Sequence, residues 1–398
     1  MSSFTHEDIT FVCNNKYETE HLLVKGTDIR LLMLQLTSAP LIGRKVALPA
    51  SVNTLANQVF EAIEGATQQG LNPFVAVTAA DRFFESFTSF WRCLFTLGLQ
   101  KAASELWSLV LGWTLDWEAK HSARIHKGTP LFFLGATLID QGDADAGFLF
   151  VYNAMEEDKA WSRTLSMPNR YKLSPAYKTA TIQDKTDNFL YISFVRPIRE
   201  AIELYVQSFR NLTGASLTLN DIQARFLDNP DLEEVVFFFV YNMHLHVERN
   251  RFKQFSRLYE NDFGKLKKLD SIFNMCLVIE ETLQYRFSKS GATYYISDGI
   301  MDLGRNKGWI PAGESKNEFL DKLTNVNISG APSQNVPVIL THNLTYQGTP
   351  LRPELSYLLL AWHLRNYGGH NIEAQDVLRQ FYDQIFEWLM YALFLASQ

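Results

Sequence analysis

Between Phe381 and Leu395 the chain reads FYDQIFEWLMYALFL, apolar on nearly every side of a helix. Such a helix has no stripe that can face water, so it must be enclosed within its own domain or against a partner. It is too short to cross a membrane. The most apolar runs, Val235 to Val240 and Trp388 to Ala396, fall well short of about 18 residues. The rest of the chain must therefore supply the enclosing layer, and it supplies helices. Apolar residues recur at helical spacing over Val52 to Gln68, Pro73 to Leu97, Gln100 to His121, Pro130 to Gln141 and Ala144 to Lys159. They do so again over Ile198 to Arg210, Leu232 to Asn250, Phe252 to Lys289 (broken near Phe263-Gly264), Tyr294 to Asn306, Lys316 to Leu323 and Glu373 to Ser397. The expected fold class is mainly α. With 398 residues and 46% hydrophobic content there is enough apolar material for two or three domains.

Breaks in the pattern divide the chain into residues 1–50, a mixed segment with strand-like Ile9 to Cys13; residues 51–160, helical throughout; residues 161–189, a polar linker carrying Pro168 and Pro175; and residues 190–398, a second helical region. From Lys316 to Leu323 the chain passes into a long Pro-, Ser- and Asn-containing loop that runs to Pro353. In LFFLGATLIDQGDADAGFLFVYNAMEED, small residues stand at Gly135, Gly147 and Ala154, spacings of twelve and seven. This resembles the tetratricopeptide pattern, where small residues let paired helices pack closely, and the resemblance implies a helical-repeat-like layer able to hold a protein partner or activator. An irregular helical bundle is the alternative for the same residues.

A formal net charge of -6 excludes a broad basic coat for nucleic acid, so any RNA contact is expected to be a local cleft. Arg163, Arg170, Lys172 and Lys178 in the linker read either as a solvated loop or as an RNA contact. Cys13, Cys93 and Cys276 are odd in number, far apart and set among apolar neighbours, which reads as reduced core thiols in a cytoplasmic protein. The polar, acidic start lacks the charged and apolar regions of a signal peptide, and no membrane association is expected.

The chemistry is concentrated in LLLAWHLRNYGGHNI, residues 358–372. Leu355, Leu358, Leu359, Trp362 and Leu364 form the apolar face of a helix, Arg365, Asn366 and Tyr367 arrive together at its end, and Gly368 and Gly369 interrupt it before His370. The run Arg365-Asn366-Tyr367-Gly368-Gly369-His370 resembles the Arg-x4-6-His signature of the HEPN superfamily, including the polar residue after the arginine. That resemblance implies a C-terminal HEPN-like helical bundle and a metal-independent endoribonuclease cleaving single-stranded RNA at a composite site in a homodimer, in the setting of antiviral defence or a toxin. Arg365 would stabilise charge on the phosphate, His370 would transfer protons at neutral pH, Asn366 would orient either, and Tyr367 would stack a base. In a straight helix five residues rotate by roughly 140°, so the glycine pair or the dimer must bring Arg365 and His370 together.

Arginine and histidine near a helix end have a plainer use, satisfying terminal carbonyls and pairing with acids such as Glu373. On that reading the protein is a non-catalytic helical scaffold for protein-protein interaction. His244, His246 and Glu248 lack a third ligand at a recognised spacing, and His363 reads as a core residue. Neither a metal nor any other cofactor is expected.

Overall fold

The computed structural model describes Phe84, Trp91 and residues 100–121, 124–165, 196–251, 262–289, 293–326, 330–367 and 375–398. The mixed segment 1–50, the helices expected over residues 52–68 and 73–97 (apart from Phe84 and Trp91), most of the linker, and Gly368 to Glu373 lie outside the described residues. The protein is mainly α-helical and divides into two compact units, Met1–Ser174 and Pro175–Gln398.

In the N-terminal unit, α1 (Gln100–His121), α2 (Gly128–Asp140) and α3 (Ala144–Leu165) follow in sequence, with α2 packed on both neighbours. The third helix continues past Lys159, five residues into the stretch read as linker. Between α2 and α3 the chain reverses at Gly142, whose φ of +90° favours glycine. Gly142 N donates to Ile139 O and Asp143 N to Leu138 O, closing the C-terminus of α2, while Asp143 caps the next helix through Ala146 N. So short a turn lays α3 directly back on α2. At the crossing, a Cβ on Gly135 would stand 2.6 Å from Gly147 O, and one on Gly147 would stand 2.7 Å from Gly135 O. The two backbones touch because neither residue carries a side chain.

Around that crossing, Trp91 donates from Nε1 to Thr137 Oγ1 at 2.7 Å, and its ring lies 4.5 Å from Phe133, which also stacks on Trp107. The connection from α1 to α2 is held by carboxylates. Glu118 accepts from Ile125 N and Lys127 Nζ, and Glu157 accepts from Lys127 N and Arg124 Nη2. Gly112, in the interior of α1, has nothing within 4 Å of a notional Cβ. Gly112→Ala is therefore expected to stabilise the protein by roughly 0.5–1 kcal/mol, the helix-propensity difference alone, measurable by urea denaturation.

The C-terminal unit begins with α4 (Arg196–Thr213) and α5 (Leu219–Ile222), which runs on as a π-helical turn, Gln223–Leu227. Then come α6 (Glu233–Arg251), α7 (Asp262–Arg286), α8 (Ile296–Asn306) and α9 (Lys316–Asp321). The stretch up to Pro353, expected to be a long loop, instead carries α10 (Pro332–Leu340) and a small antiparallel sheet of β1 (Leu323–Thr324), β2 (Thr345–Tyr346) and β3 (Thr349–Pro350). Pro332 suits the first turn of α10, where a missing N–H costs nothing, so a proline that reads as a loop marker starts a helix. The chain ends with α11 (Pro353–Tyr367), α12 (Gln375–Gln380) and α13 (Tyr382–Ser397).

Of these, α7 is the central element, packed against α6, α8, α11, α12 and α13. The apolar helix α13 is enclosed within this unit by α4, α7, α11 and α12, and every residue from Trp388 to Ala396 is buried. Arg286, at the end of α7, donates to the carbonyls of Leu395 and Ala396 and so closes the last turn of α13. No dimer is needed to cover this helix, which removes one of the two reasons to expect a partner. Among the described residues, no helix is long and apolar enough to cross a membrane.

Candidate functional site

Helix α11 is buried from Leu355 to Leu364, between α7, α8, α10 and α13. Arg365 is the first residue toward its C-terminus to come out of that packing. Its side chain is 39% exposed, and Nε donates to Glu280 Oε2 at 2.6 Å. The carboxylate belongs to α7, and its side chain is 8% exposed. Glu280 Oε1 accepts from Ile296 N, the first residue of α8, where the helix dipole favours a negative charge. One carboxylate thus joins three helices and fixes the guanidinium through a single nitrogen. Among the described residues, Nη1 and Nη2 of Arg365 have no hydrogen bond.

One turn before Glu280 on α7 lies Cys276, fully buried. Burial pushes its thiol well above the usual cysteine range, with Glu280 adding to the effect and Arg365 opposing it. It is a neutral core thiol, unsuited to nucleophilic work. Cys13 and Cys93 lie outside the described residues.

Asn366 is exposed, and Tyr367 is half-buried with its ring 5.4 Å from His363, at a tilt of 47°. His363 itself is buried, as a core residue would be. His370 and the glycine pair fall in the stretch outside the described residues, so of the four residues singled out from the sequence, three are placed and they cluster at one helix end. Glu280 was missed. A glutamate closing the run MCLVIE is a signal of a buried carboxylate with a cationic partner, but a single sequence does not say that the partner is Arg365, far along the chain. Neither His244 nor His246 joins a metal-ligating group among the described residues.

Comparison with protein-family models, with curated proteins and with solved structures found no match.

Proposed function

We propose that the C-terminal unit is a HEPN-like, metal-independent endoribonuclease acting on single-stranded RNA. One observation carries the reading. Arg365 stands partly exposed at the end of a buried helix, anchored through Nε by Glu280, and among the described residues nothing bonds Nη1 or Nη2, the two nitrogens that would grip two oxygens of a phosphate. A guanidinium held this way has already lost much of its rotamer freedom before substrate arrives, which is what charge stabilisation at phosphorus requires. His370 follows Tyr367 by three residues, so covalent geometry keeps their Cα atoms within about 11 Å. Either a bend at Gly368-Gly369 or a homodimer in which the two pairs face each other across one composite cleft would bring Arg365 and His370 together.

In the reaction, the RNA 2′-hydroxyl attacks the adjacent phosphorus and loses its proton, the bond to the 5′-oxygen breaks, and that oxygen takes a proton. His370 is the group that handles protons at neutral pH, Arg365 neutralises the charge that builds on the non-bridging oxygens, and Asn366 orients the phosphate. The products are a 2′,3′-cyclic phosphate and a 5′-hydroxyl. The setting that fits is a cytoplasmic defence or toxin effector. Tyr367 has a ring contact with His363, which favours packing over base stacking for that side chain.

A second reading has its own support. The Arg365–Glu280 pair ties α11 to α7, as an ion pair in a non-catalytic scaffold would. Purified full-length protein incubated with labelled single-stranded RNA in EDTA separates the two. The nuclease is expected to cut, leaving 5′-hydroxyl ends, and His370→Ala is expected to cut at least ~100-fold more slowly. Equal cutting by both proteins would remove His370 from the mechanism, and no cutting by the wild type would leave the scaffold.

A further inference from the structure

Helix α8 begins beside the carboxylate that holds the Arg365 guanidinium: Glu280 bonds Arg365 Nε at 2.6 Å through one oxygen and Ile296 N at 3.0 Å through the other. The residue before Ile296 is Tyr295, and it caps the helix with its backbone alone. Tyr295 N donates to Asp298 Oδ2 at 3.0 Å, and Tyr295 O accepts from Asp298 N and Gly299 N. The side chain is left outside the packing, with the residue 58% exposed. Its neighbour Tyr294 shows the contrast, because that hydroxyl donates to Asp302 Oδ2 at 2.8 Å and ties the chain to α8. Among the described residues, the Tyr295 ring has no aromatic contact and its hydroxyl no hydrogen bond.

A cation stands at the same helix end. Lys316 Nζ lies 3.3 Å from Ser297 Oγ, and among the described residues it pairs with no carboxylate. Lys316 is the first residue of α9, where the helix dipole disfavours positive charge, so the stability of α9 does not account for it. The backbone of α8 has little left to offer a ligand: Ile296 N is taken by Glu280, and Asp298 N and Gly299 N by Tyr295 O. Whatever binds here is held by the side chains of Arg365, Lys316 and Tyr295. Charge alone gives them little pull on a polyanion, since Glu280 and Asp298 balance the two cations. Stacking on a tyrosine face needs no net charge, and every base has a face to offer.

We infer that Tyr295 is a nucleobase platform: with a phosphate of single-stranded RNA on Arg365, an adjoining base stacks on the Tyr295 ring and Lys316 takes a neighbouring phosphate. The inference rests on the ribonuclease reading of Arg365. It also supplies a reason for a single-stranded substrate, because the bases of a duplex are stacked on one another and present no open face to the ring. Stacking accepts any base, so this subsite selects unpaired RNA without selecting its sequence.

Binding, separated from cleavage, tests it. The probe is a fluorescein-labelled single strand of about eight nucleotides with every 2′-hydroxyl methylated, which cannot supply the nucleophile. Its affinity for the full-length protein is read by anisotropy in EDTA, alongside cutting of unmodified RNA. Tyr295→Ala is expected to bind roughly 5- to 100-fold more weakly, and Tyr295→Phe close to wild type, since the ring and not the hydroxyl does the stacking. Lys316→Gln is expected to make the salt dependence shallower by roughly 0.7 in log–log slope, one phosphate contact. Equal affinities for wild type and Tyr295→Ala, with the wild type still cutting RNA, would overturn the platform and leave the ribonuclease standing. A Tyr295→Ala that turns a dimer into a monomer at unchanged affinity would give the ring to a protein interface instead, and also overturn it. No binding by the wild type sinks the platform in any case, and no cutting besides takes the ribonuclease reading with it.

Discussion

Gly135→Ala is expected to destabilise the N-terminal unit by about 2–3 kcal/mol, although alanine is the better helix former. A Cβ at position 135 would meet Gly147 O at 2.6 Å and Val151 N at 2.9 Å. These are backbone atoms of the facing helix, with no rotamer to turn aside. The only relief is for α2 and α3 to separate, which loosens the buried contacts of Leu134, Ile139, Phe148 and Val151. Gly147→Ala meets the same obstacle from the other side, against Gly135 O and Ile139 N. Urea denaturation followed by tryptophan fluorescence reports the change, because Trp91 and Trp107 both pack on Phe133 of α2. The contrast with Gly112→Ala makes the result specific: the same substitution in a neighbouring helix is expected to have the opposite sign. A neutral or stabilising Gly135→Ala would mean that α2 and α3 do not touch there.

That close crossing was legible in the sequence, and the reason is physical. Two glycines in helices joined by a short Gly-containing turn leave little but each other to pack against, and Gln100 to His121 carries an uninterrupted helical period that the structure follows from end to end. The stretch before Pro353 was misread because prolines and polar residues suit both a loop and a helix start, and only the buried Val336, Ile339 and Leu340 decide for α10. Likewise the single helix expected from Glu373 to Ser397 is interrupted at Phe381, whose ψ of 14° leaves the helical range. At the site, Arg365 stood out because a charge closing an apolar helix is conspicuous. Its partner did not, since α7 pairs with α11 through tertiary packing that no local pattern encodes.

Arg365→Ala is expected to cost about 2 kcal/mol of stability, besides any loss of RNA cleavage. The cost lies in what is left behind. Among the described residues, Glu280 would keep only Ile296 N as a partner while remaining buried, and a carboxylate stripped of its cation in such a place is expensive. The figure sits below the ~3–5 kcal/mol of a fully buried pair because the guanidinium is 39% exposed and water can partly replace it. Glu280→Gln in the same background should restore most of the loss, since a neutral amide still accepts from Ile296 N and carries no stranded charge. The two consequences of removing Arg365 can therefore be separated. The double variant, Arg365→Ala with Glu280→Gln, is expected to melt close to wild type yet remain unable to cleave RNA. Recovery of cleavage along with stability would mean that Arg365 acts only by holding α7 and α11 together.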